Sequence, residues 1–63
     1  MCEASKSTIK DCLKDSKYYK SLLTLICADE TNEKIIENLG TASEYLRLCC
    51  EVLSAVLEIA ETE

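Results

Sequence analysis

Residues 30–63, ETNEKIIENLGTASEYLRLCCEVLSAVLEIAETE, decide the fold. Read in sevens, one column is Glu30, Glu37, Glu44, Glu51 and Glu58. Opposite it runs an apolar seam of Ile35, Asn38, Ala42, Tyr45, Cys49, Val52, Val56 and Ile59, with Leu39, Leu46, Leu53 and Ala60 beside it. Steps that alternate three and four put such a seam on one side of a helix. The stretch therefore predicts one long helix over about 30–62.

Gly40-Thr41 is the point where that helix can fail. Glycine ends helices, and Thr41-Ala42-Ser43-Glu44 has the form of a capping box. A break or kink at 40–41 would give a three-helix bundle with helices over 5–27, 31–39 and 42–62. The glutamate column and the seam nevertheless cross Gly40 without a slip of phase, which supports the unbroken helix.

Working back from residue 30, Ala28-Asp29 reads as the turn, with Asp29 as an N-cap ahead of Glu30 and Glu33. Before it, Ile9, Cys12, Ser16, Tyr19, Leu23 and Ile26 repeat the heptad spacing. They predict a first helix over about 5–27, capped by Ser5 or Ser7. Leu13, Leu22 and Cys27 flank its seam, and Lys10, Lys14 and Lys17 form a basic stripe elsewhere. A connection this short makes the two helices antiparallel neighbours. The expected fold is all-α: one domain over 1–63, an antiparallel helical hairpin that dimerises into a four-helix bundle.

Dimerisation follows from the amount of apolar surface. Sixty-three residues form at most one domain and bury only about 60% of their unfolded surface. Yet 48% of the chain is hydrophobic, and five of the seven heptad columns of the second helix are mostly apolar. A lone hairpin hides one stripe per helix and would leave a continuous apolar patch in water. Two hairpins in a bundle, or a higher homo-oligomer, would cover it. Tyr18, Leu22, Leu25, Leu48 and Leu57 are the expected inter-subunit residues. In length and heptad layout the expected object resembles the Rop family of small plasmid RNA-binding proteins, which are dimers of helical hairpins. It shares no residue motif with them, so the resemblance implies no functional residues.

Charge narrows the partners. The net charge is −5, which disfavours nucleic acid, because phosphate contacts need clustered Lys or Arg. Residues 1–20 carry five Lys against three acids, whereas residues 21–63 carry one Lys and one Arg against nine acids. Unlike charge would favour antiparallel docking of the two helices, at about 0.2–1 kcal/mol per exposed pair. Residues 1–6 have no apolar core of a signal peptide, and no apolar run reaches the ~18 residues of a membrane span. A cytoplasmic protein without a membrane role is expected.

Five cysteines, an odd number in irregular spacing, read as reduced thiols. A turn at 28–29 pairs positions whose numbers add to about 60, which sets Cys12 level with Cys49 and Cys50. Three converging thiols are the candidate soft-metal or redox site. Against that, Cys12 and Cys49 fall in the seam, where cysteine serves as a small apolar residue. No cofactor is expected. The chain has no His, and a thiol or hydroxyl nucleophile needs a base beside it, so no enzyme is expected. The glutamate column lacks the Glu-x-x-His pairing of di-metal bundles and reads as a solvated face. The predicted function is regulatory or scaffolding, through helix–helix contacts with itself and then with a protein partner. Thiol-based metal binding or redox sensing is the second reading, and Rop-like RNA binding the third.

Overall fold

The structure, a computed structural model, describes residues 1–62; Glu63, the last residue of the expected domain, lies outside them. Helix α1 spans Glu3–Asp29 and helix α2 spans Glu33–Glu61, packed antiparallel as a hairpin of 47 × 14 × 11 Å. The described residues contain no strand.

Helix α1 begins earlier than the expected serine caps. Cys2, with extended backbone, precedes its first turn, and the Lys6 N–H donates to the Cys2 carbonyl at 3.1 Å. Ser5 and Ser7 lie inside the helix. With no Pro or Gly nearby, Glu3 and Ala4 extend it backwards, and Glu3 suits the positive end of the helix dipole.

The turn also lies later than expected. Ala28 and Asp29 complete α1, and the connection is residues 30–32. Side chains build it. One Glu30 carboxylate oxygen accepts from the Thr31 N–H at 2.9 Å and the Asn32 N–H at 3.0 Å. Asn32, not Asp29, caps α2, accepting from the Lys34 N–H at 3.0 Å and the Ile35 N–H at 3.3 Å. Glu30 therefore leaves the glutamate column, whose helical members are Glu37, Glu44, Glu51 and Glu58.

The Asn32 N–H, then the Thr31 N–H, hold the Glu30 carboxyl below its usual range by favouring the charged form. A depressed folded pKa adds stability above the unfolded value of about 4.3 and loses it as pH falls through the folded value. In urea unfolding, Glu30→Gln should therefore lose less stability than the parent between about pH 5 and about pH 2. Equal losses would rule out a role for these hydrogen bonds in the acid response.

Gly40 interrupts nothing. Helix α2 runs through it without positive φ, so the three-helix alternative is not the observed fold. A Cβ built at Gly40 meets nothing within 4 Å. Gly40→Ala should thus stabilise the helix by about 0.5–1 kcal/mol, read as a raised urea midpoint at constant slope.

The helices meet along heptad rows that share only part of the predicted seam: Ile9, Ser16 and Leu23 of α1 turn inward, and in α2 the flanking column of Leu39, Leu46, Leu53 and Ala60 does so. In α1 the more buried positions are Lys6, Ile9, Leu13, Ser16, Lys20, Leu23 and Cys27. In α2 they are Leu39, Ala42, Ser43, Leu46, Arg47, Cys50, Leu53, Val56, Leu57 and Ala60. Tyr45, Cys49, Val52 and Ile59 of the expected α2 seam are exposed, as are Ile35 and Asn38. In α1, Cys12, Tyr19 and Ile26 are likewise exposed. Size accounts for the choice. The inward rows mix the small Ser16, Ser43, Cys50 and Ala60 with leucines, a combination suited to close helix packing. A Tyr45–Val52–Ile59 row against Tyr19 and Ile26 would force the axes apart.

The register shifts with the turn. Ser16 Oγ lies 3.7 Å from Cys49 Sγ, so facing positions add to about 65. Among the described residues, no ion pair joins α1 to α2. The ion pairs among the described residues run within a helix: Lys6–Glu3 at 3.5 Å, and Arg47 with Glu44 at 2.8 Å and Glu51 at 2.7 Å. Pairs as exposed as those of Arg47 add little.

Candidate interaction face

The hairpin hides very little apolar surface. Ala60, 4% exposed, is the one buried hydrophobic residue among those described, and Ser16 the one buried polar residue. Its best apolar side chains are outside: Tyr45 is 70% exposed, Leu25 and Ile59 66%, Val52 62% and Tyr18 61%. The α1 half of the seam, meanwhile, includes two lysines, a serine and a cysteine. The ordinary relation of core to surface is inverted.

Tyr45, Val52 and Ile59 gather on one side with Tyr19 and Ile26, whereas Tyr18 and Leu25 lie on the outer edge of α1. In α1, Cys12, Ser16, Tyr19 and Ile26 share a row at heptad spacing, with Leu22 beside it. In α2, Tyr45, Cys49, Val52, Val56 and Ile59 do the same. The Ser16–Cys49 contact places both rows on the same side of the hairpin, because Cys49 reaches Ser16 over the top of the seam. Helical geometry at 100° per residue sends Lys10 and Lys17 of α1, and Arg47, Ser54 and Glu61 of α2, to the other side. The molecule is thus a two-helix slab, mostly apolar on one broad face and mostly polar on the reverse, where Ile36 is also exposed. Tyr18 and Tyr19 stack edge to face, with ring centroids 5.7 Å apart and planes at 61°, at the α1 border of the apolar face.

Of the residues expected between subunits, Tyr18, Leu22, Leu25 and Leu48 are exposed, whereas Leu57 packs in the seam against α1. The expected seam contains the rest of the face. Tyr19, Ile26, Tyr45, Val52 and Ile59 carry the heptad signal that was legible in the sequence, but they present it outward. Periodicity marks a stripe without saying which partner it meets.

The three thiols proposed as a site do not share a level. Cys49 sits against Ser16 rather than Cys12, and Cys50 turns into the seam, half-buried. All five cysteines are free thiols; Cys2, Cys12 and Cys49 are exposed and Cys27 and Cys50 are half-buried. No group of three or more Cys, Asp or Glu among the described residues lies close enough to hold a metal ion. The Cys2 thiol is pulled below its usual value by the Ser5 hydroxyl, 3.2 Å from its Sγ. The described surface has no cavity. Among the described residues, no helix is long and apolar enough to cross a membrane. Lys10, Lys14 and Lys17 are all exposed on α1. Compared with protein-family models, with curated proteins and with solved structures, the chain matches none.

Proposed function

We propose that this protein works by helix–helix association, as a small regulatory or scaffolding module whose apolar face is covered by other helices. Two hairpins joined into a four-helix bundle are its basic form, and such a bundle could then engage a larger protein partner. The observation that carries this reading is the inverted burial: one apolar residue hidden, and a face running from Tyr19 and Ile26 to Val52 and Ile59 in water. Soluble chains seldom leave an apolar patch that long uncovered, and a core this thin does not offset the entropy of ordering about sixty residues.

Sedimentation equilibrium under reducing conditions tests it. The expected mass is twice the 7.0 kDa of the chain, falling towards 7.0 kDa on dilution together with helical content. A fully helical 7.0 kDa species at every concentration would remove the reading. Thiol chemistry is the second reading, favoured only by the exposure of Cys2, Cys12 and Cys49. Anaerobic Zn or Cu(I) titration with no bound metal, and no change of mass on oxidation, would dismiss it. The basic stripe of α1 leaves an RNA reading with less support, since acids outnumber bases in the chain.

A further inference from the structure

We infer that the occupant of the apolar face is a second copy of this chain, seated so that Cys12 and Cys49 are enclosed between the two hairpins. This rests on the association proposed above and adds which surface is used and by what.

At its open end the face is complementary to itself. On α1 the bulky residues Tyr19, Leu22 and Ile26 lie towards the loop. On α2, Val52 and Ile59 lie towards the open end, while Tyr45 is level with Tyr19 and Ile35 is near the loop. Beside Val52 and Ile59, α1 offers the smaller or polar Thr8, Cys12 and Asp15. A twofold axis in the plane of the face, along the hairpin, lays Val52 and Ile59 of one copy over Cys12 and Thr8 of the other. A two-fold contact pairs such unlike patches reciprocally.

Area agrees. The hairpin's 47 × 14 Å outline covers about 660 Å² before side chains widen it, near the ~800 Å² per partner of a stable interface. The exposed rows repeat at heptad spacing, as the seam does. A second hairpin can therefore dock by the packing that already joins α1 to α2.

The native cysteines report the arrangement without mutation. Cys12 and Cys49 lie on the rows of the face nearest the seam, and Cys49 touches Ser16. Cys2, ahead of α1, lies outside it and keeps an exposed thiol that favours its anion. Cys27 and Cys50 are shielded by the hairpin itself. The experiment is alkylation of the full chain by iodoacetamide, resolved by residue in mass spectrometry across a dilution series of known mass. Well above the midpoint of dimerisation the monomer fraction falls as the square root of concentration. A hundredfold rise should then slow Cys12 and Cys49 about tenfold and leave Cys2 unchanged. If the mass doubles while Cys12 and Cys49 react at the same rate throughout, the chain dimerises by another surface and this inference is overturned. If the mass stays at 7.0 kDa, the association on which it rests fails as well.

Discussion

Val52→Glu is expected to convert a dimer of twice 7.0 kDa into a 7.0 kDa chain at concentrations where the parent is fully associated. Val52 is 62% exposed on the single hairpin, so a carboxylate there costs the monomer almost nothing. In the twofold assembly the same change buries two charges, one from each copy, and an unpaired buried charge costs several kcal/mol. Thermal unfolding should shift in parallel. For a dimerising parent the midpoint should rise with chain concentration, because folding and association would be linked, whereas that of Val52→Glu should be lower and independent of concentration. Leu48→Glu, at the edge of the face, should give the same change in weaker form, since rim charges stay hydrated. An unchanged mass for Val52→Glu would show that this face is not the contact.

Leu57→Glu should behave differently, although Leu57 and Val52 are both apolar positions of one helix. Leu57 is packed in the seam against α1. A glutamate there breaks the hairpin itself, and its helical signal should be largely lost at every concentration. Leu46→Ala provides the graded version. Removing part of a half-buried leucine should cost about 2 kcal/mol while preserving the concentration dependence of the midpoint. The contrast between the Val52 and Leu57 variants separates the two stripes of α2. If both variants stayed helical and lost only mass, the seam would be misassigned. If both unfolded alike, the exposed face would be doing the work of a core.

Gly40 shows how far local signals reach. Glycine and a capping-box pattern argue for a helix end there, while phase argues against it. Phase prevails because Gly40 lies on the mostly polar reverse side, where lacking a side chain forfeits no packing, and a cost of about 1 kcal/mol is absorbed. The turn was less legible. Asp29 and Asn32 are both plausible caps from residue type alone. The later one is used because the Glu30 carboxylate gathers the Thr31 and Asn32 amides and lets α1 run to Asp29. That displacement moved the facing register and set Cys49 against Ser16, one turn along α1 from Cys12. A three-thiol cluster depends on register to within a residue or two, and register depends on where the loop closes.

The sequence by itself determined that this protein is two long helices joined by a short connection, and that each helix carries more apolar surface than one neighbour can hide. Heptad spacing and the lack of proline are local properties of the chain, so they are legible without a fold. Which of two adjacent apolar stripes turns inward was a tertiary decision. It depends on how closely two axes can approach, and the inward rows carry the small side chains of Ser16, Ser43, Cys50 and Ala60 that suit a close approach. The bulkier stripe, which a one-dimensional reading takes for the core, was left facing out because only the space between helices measures size.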